Sequence, residues 1–89
     1  MLTRELTINN KSGLHARPAS LWVQTASRFR SKIKIKREDS VIDGKSILGI
    51  LSLGLSTGSV FEILVEGEDE TEAVAALEKL MIDLENQDR

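Results

Sequence analysis

Apolar and polar positions alternate along parts of this chain and recur at helical spacing along others. From Leu2 to Ile8, Leu6 and Ile8 fall on one side and Glu5 and Thr7 on the other, the pattern of a half-buried strand. Ile33 and Ile35 alternate with Lys32, Lys34 and Lys36, which predicts a second strand with one wet face. Val41 and Ile42 form a short third strand after the polar turn Arg37-Glu38-Asp39-Ser40, and Phe61, Ile63 and Val65 alternate with Glu62 and Glu66 in a fourth. Between these, Ala19, Trp22, Val23 and Ala26 share one helical face, widened by Leu21 and Phe29, so a helix is predicted over about residues 16–28, with Trp22 in the core. Ser46 reads as the N-cap of a short helix that Gly54 closes. Asp69 and Glu72 read as a capping-box pair opening a last helix, whose apolar stripe is Val74, Leu77, Met81 and Leu84. The predicted order is βαββαβα, a small antiparallel sheet with helices packed on one face, in the α+β class. No linker, repeat or low-complexity segment interrupts it, so one domain over residues 1–89 is expected.

Composition narrows the chemistry. Apolar residues make up 40% and charged residues 29% of the 89 positions, which is ordinary for a globular domain. A net charge of -2 gives no bulk reason to bind nucleic acid or an anionic membrane. There is no cysteine and one histidine, which excludes a disulfide framework, a thiolate site and the usual histidine-rich metal sites; no metal and no cofactor are expected. The charged start Met1-Leu2-Thr3-Arg4-Glu5 does not read as a signal peptide, and no run approaches the roughly 20 apolar residues that span a bilayer. The expected compartment is the cytoplasm. Gly44-Lys45-Ser46 has the ending of a P-loop, but Asp39 stands where that motif requires its first glycine. The basic stretch Arg28, Arg30, Lys32, Lys34, Lys36 and Arg37 reads most simply as the solvated face of a strand; a nucleic-acid surface is the rival reading, and only Phe29 interrupts it.

The segment Gly13-Leu14-His15-Ala16-Arg17-Pro18-Ala19 concentrates candidate chemistry. With His15 as N-cap, the free N–H groups of Ala16 and Arg17 face outward, and Pro18 falls in the first turn, where its missing N–H has no helical partner to lose. Such a helix start binds anions by geometry and dipole, and the Arg17 guanidinium can fork two phosphoryl oxygens. A histidine titrates near ~6.5 when unperturbed, so its neutral ring is available as a nucleophile in the cytoplasm. A phosphoryl group on that ring has a good leaving group, which suits reversible transfer. The alternative is a histidine that merely caps the helix or sits at the surface.

The short helix carries more hydrophobe than one face can bury. Ile47, Leu48, Ile50, Leu51 and Leu53 fall within seven residues. Ile50 and Leu53, with Leu55 beyond, are expected to face the core, leaving Ile47, Leu48 and Leu51 at least partly exposed as a docking surface; the other reading is burial on both sides. Ser46 either only caps this helix or is also a phosphorylation site, where a phosphate would set about two negative charges beside the apolar patch.

These residues resemble HPr, the histidine-containing phosphocarrier family of the bacterial phosphoenolpyruvate-dependent phosphotransferase system, over essentially the whole chain. Gly13-Leu14-His15-Ala16-Arg17-Pro18-Ala19, continued by Gln24-Thr25-Ala26-Ser27, resembles the family's active-site signature, and Lys45-Ser46-Ile47-Leu48-Gly49-Ile50-Leu51-Ser52-Leu53-Gly54 its regulatory-serine segment. The resemblance implies an open-faced β-sandwich with strand order 1-4-2-3. It implies phosphorylation of His15 on Nδ1 by Enzyme I, transfer to enzyme II A components for sugar uptake, and assistance from Arg17. It further implies that Ser46 is the target of an HPr kinase/phosphorylase and that Ile47, Leu48 and Leu51 form the shared docking patch. The chain is expected to act as a monomeric carrier rather than an enzyme. Leu48 and Leu51 stand where members often carry Met, and some relatives serve a nitrogen-related phosphorelay without sugar transport, which is the alternative branch. More distant alternatives are a nucleic-acid-binding α+β module and an interaction domain without the chemistry.

Overall fold

The computed structural model describes residues 1–87; the last two positions of the expected 1–89 unit lie outside that range. The elements follow in the order β1 (Leu2–Thr7), α1 (Ala16–Ala26), β2 (Lys32–Arg37), β3 (Ser40–Asp43), α2 (Ile47–Ser52), β4 (Val60–Glu66) and α3 (Glu70–Gln87). The strands form one antiparallel sheet in the order β1-β4-β2-β3, as the resemblance implied. The last strand in sequence thus lies inside the sheet, between the first and the second. Leu2, Arg4 and Leu6 of β1 register with Val65, Ile63 and Phe61 of β4, while Ile33 and Ile35 of β2 register with Val65 and Ile63 from the other side. The apolar side chains of this row, all but the exposed Arg4, form the floor on which the helices pack.

Period-two alternation produces this floor directly. Ile33, Ile35, Phe61, Ile63 and Val65 are buried, and Lys32, Lys34 and Lys36 stand on the open face. From the helical layer, Ala19, Trp22 and Ala26 of α1, Ile50 of α2 and Ala73, Val74, Leu77, Met81 and Leu84 of α3 close the core. Trp22 meets Phe61 edge to face at 5.8 Å between ring centroids. Its indole N–H donates to the Gly44 carbonyl at 3.1 Å, so a large apolar ring is buried without leaving its polar atom bare.

Two boundaries differ from the sequence expectation. Helix α1 ends at Ala26 rather than near residue 28 because its last turn tightens: the amides of Arg28 and Phe29 reach back three residues, to Thr25 at 3.2 Å and Ala26 at 3.2 Å. Strand β3 extends one residue to each side of Val41 and Ile42, since Ser40 and Asp43 complete the register with Arg37 and Lys34.

The start of α3 is a larger correction. Asp69 stands one residue before the helix, and its carbonyl accepts the Ala73 amide at 2.9 Å. Its carboxylate, however, does not form the expected capping box with Glu72. One oxygen accepts the Arg30 amide at 2.8 Å, and the other accepts the Ser31 amide at 2.9 Å and the Ser31 hydroxyl at 2.5 Å. The local sequence favoured a bond along the helix, yet two main-chain donors and a hydroxyl at the head of β2 offered three. Gly67 permits this approach: its φ is +155°, and a side chain there would meet Ser31 at 2.6 Å.

The Ser31 hydroxyl, then the Arg30 amide, hold the Asp69 carboxyl below its ordinary value of 3.8. A depressed native value stabilises the fold fully above the unfolded value and loses that contribution as pH falls through the native one. Asp69→Asn should therefore lower the urea midpoint at neutral pH, and the gap to wild type should narrow on acidification below about 3.8. Denaturation curves collected from neutral to strongly acidic pH check this; a gap that stays constant would mean that the carboxylate does not brace the two elements.

Candidate functional site

Three elements converge on the start of α1. The polar stretch after β1 must turn sharply before the helix can begin, and Gly13 makes that turn with φ +68°. The turn runs against the segment that leads into β4: a side chain at Gly13 would meet the Leu55 carbonyl oxygen at 2.6 Å and Ser56 at 2.9 Å. The Leu14 amide donates to the Leu55 carbonyl at 2.9 Å, and Leu14 is buried. The chain then emerges at His15, whose extended backbone (φ -84°, ψ -164°) makes it the N-cap, with its carbonyl accepting the Ala19 amide at 2.9 Å.

The imidazole is exposed and makes no hydrogen bond to the helix it caps. An ordinary N-cap side chain turns inward to accept an amide; here the ring leaves the helix start open. Ala16 and Arg17, the first two helical residues, have amides without an acceptor inside the helix, and Pro18 contributes none. Arg17 is exposed beside them. His15 and Arg17 line a common shallow cavity of about 390 Å³ with Ser12, Pro18, Leu21, Leu84 and Gln87. Its composition, a ring nitrogen and a guanidinium above apolar walls, suits a small dianion held partly out of water. Ser12 and Gln87 were not singled out by sequence. Ser12 lies in a loop whose polarity hinted at nothing beyond solvation, and Gln87 is brought in from the end of α3 by packing alone.

Helix α2 presents the second candidate group. Ser46 is its N-cap and its hydroxyl accepts the Gly49 amide at 3.1 Å, as the spacing predicted. Ile50 is fully buried and Leu55 nearly so, whereas Ile47 is 37%, Leu51 39% and Leu48 78% exposed. The helix therefore buries one side and leaves three large aliphatic side chains toward solvent. Arg37 secures its far end, donating to the carbonyls of Leu53 at 2.7 Å and Gly54 at 3.3 Å, where a cation also suits the dipole. Lys45 is likewise engaged, its ammonium donating to the Phe29 carbonyl at 2.7 Å. The basic stretch is thus divided: Arg37 faces inward to a helix end, while Lys32, Lys34 and Lys36 stand on the open face of the sheet, in register with Glu66, Asp43 and Glu62 respectively. Among the described residues, no helix is long and apolar enough to cross a membrane, and no three acidic or histidine side chains cluster as metal ligands.

An open-faced α+β sandwich with a surface imidazole at an uncapped helix start has the architecture of a histidine phosphocarrier. The family described as PTS HPr component phosphorylation site matches residues 2–83. The phosphocarrier protein HPr of Treponema pallidum is 44% identical over 80 residues, covering 90% of this chain and 91% of the relative. The crystal structure of HPr from Thermoanaerobacter tengcongensis superposes with a TM-score of 0.95 at 45% identity, covering both chains completely. The crystal structure of Crh, the catabolite repression protein of Bacillus subtilis described as a domain-swapped dimer, covers 94% of this chain and 97% of its own at 37% identity and a TM-score of 0.74. The chain belongs to the HPr family of phosphocarriers of the phosphotransferase system.

The capping geometry of Ser46 has a measurable weight. Ser46→Ala removes the acceptor for the Gly49 amide and should destabilise the protein by about 1 kcal/mol. Ser46→Asp supplies a carboxylate in the same place and should lie within about 0.5 kcal/mol of wild type. Paired urea denaturation curves check both; equal stability of Ser46→Ala and wild type would remove the cap from the account.

Proposed function

We propose that this chain carries a phosphoryl group on His15 from Enzyme I to the A components of sugar-specific enzyme II in the cytoplasm, as one HPr-like domain with no cofactor. The observation that supports this most is the exposed ring above amides that the His15 side chain leaves uncapped, with Arg17 lining the same cavity. Neutral His15 attacks phosphorus through the Nδ1 lone pair while Nε2 keeps its proton. The bond from phosphorus to the donor breaks, and its electron pair stays on the donor. The Ala16 and Arg17 amides and the Arg17 guanidinium take up the charge on the phosphoryl oxygens in flight and afterwards. Transfer onward reverses these steps with the next acceptor. The protein contributes placement and charge, which is most of what phosphoryl transfer requires.

Ile47, Leu48 and Leu51 form the surface on which successive partners dock, and Ser46 is the regulatory site, phosphorylated by an HPr kinase/phosphorylase. A phosphate on Ser46 would add about two charges at the edge of an apolar contact without disturbing the helix, since anions suit its start. The regulated species differs in affinity rather than fold. The working unit is the monomer, which leaves this patch free for partners.

Incubation with Enzyme I and phosphoenolpyruvate should place one phosphate on the wild-type chain, labile to acid and stable to alkali, and none on His15→Ala. Equal labelling of the two proteins would overturn the assignment. Ser46→Asp should slow acceptance from Enzyme I by about tenfold or more with unchanged stability, a loss of about 1.4 kcal/mol in docking. Leu48→Glu should weaken Enzyme I and enzyme II A components together, each by about tenfold. Titration calorimetry with each partner reads both effects, and unaltered affinity throughout would place docking elsewhere.

A further inference from the structure

We propose that Asn10 is a positioning residue for transfer at His15, an inference that rests on the phosphocarrier reading above. Asn10 is polar, five positions from the ring, and only 1% exposed. Its carbonyl accepts the Gly13 amide at 3.2 Å, and its side-chain amide donates to the Gly13 carbonyl at 2.8 Å. One residue therefore grips both main-chain polar groups of Gly13. The peptide that joins Gly13 to Leu14 is held at both ends, its carbonyl by Asn10 and its N–H by the Leu55 carbonyl at 2.9 Å. That peptide plane lies one residue before His15 and sets the direction in which the chain delivers the ring. Thr57 braces the clasp from outside, its hydroxyl lying 2.7 Å from the Asn10 carbonyl oxygen and 2.8 Å from that of Lys11.

The clasp also fixes which way the Asn10 amide faces. Reversing the amide would set its oxygen against the Gly13 carbonyl, so the nitrogen must face Gly13 and the oxygen is directed elsewhere. There Oδ1 is buried, with no donor among the described residues. What the clasp supplies is orientation: an imidazole delivered at a fixed angle to an incoming phosphorus, where an error near an ångström costs rate steeply.

Binding and rate should therefore separate. In transfer from Enzyme I, Asn10→Ala should retain the wild-type KM while its kcat falls about tenfold. Asn10→Asp adds a signature that a merely structural role would not give. Its carboxylate cannot donate to the Gly13 carbonyl but its protonated acid can, so the ratio of variant to wild-type rate should rise as pH falls. Dividing by the wild-type rate at each pH removes the titration of His15 itself. Should Asn10→Ala not fold, Thr57→Val and Asn10→Asp carry the test, with Thr57→Val also losing kcat rather than KM. Wild-type kcat in Asn10→Ala, a loss confined to KM, or a flat pH ratio in Asn10→Asp would overturn the proposal. Failure of the wild-type chain to accept phosphate would instead overturn the phosphocarrier reading, so the two are told apart in the same assay.

Discussion

The close passage of Gly13 against the main chain of Leu55 and Ser56 is the constraint from which the site follows. A side chain at that position has no room, since it would lie 2.6 Å from the Leu55 oxygen. Because the loop can press so closely, the Leu14 amide reaches the Leu55 carbonyl and Leu14 enters the core. Only then does the chain turn outward at His15 with its carbonyl already starting a helix. The ring is exposed because the residue before it is buried. Rigidity just behind a surface nucleophile lets a small protein offer a defined geometry without enclosing it.

Much of this was legible in the residues, and the reasons are specific. The alternation of Ile33 and Ile35 with lysines could be satisfied only by a strand with one dry face, and the excess of aliphatic side chains from Ile47 to Leu53 could not fit one buried stripe of a two-turn helix. The Ser46 cap was legible because capping is local, reaching only to Gly49. What was not legible is long in sequence and short in space. The Asp69 carboxylate serves residues 30 and 31 instead of its own helix, and Gln87 reaches the His15 cavity through the packing of α3. Local pattern gave Asp69 a sound role as a cap; tertiary contact gave its side chain a better one. Strand order likewise came from family resemblance, because hydrophobic periodicity carries no information on which strands are neighbours.

Charge is distributed by duty. Arg37 and Lys45 close open carbonyls and so belong to the fold, although they lie in or next to a stretch that reads as one basic patch. Lys32, Lys34 and Lys36 remain on the open sheet face, each with an acidic residue in register on a neighbouring strand. At the two helix starts that matter most, main-chain amides meet opposite treatments: Ser46 fills the one on α2, and His15 leaves the one on α1 open. A small fold can thereby keep one helix end for stability and the other for an anion.

The interior place of β4 has a consequence for how the molecule comes into being. Leu2 must wait for Val65 as its neighbour, and β2 for the same strand, so the sheet cannot close until nearly three quarters of the chain has left the ribosome. Until then β1 and the inner edge of β2 are bare, and the nascent chain displays the hydrogen-bonding groups on which unrelated strands could dock. Synthesis of the final third is the moment at which a sticky intermediate becomes a protein.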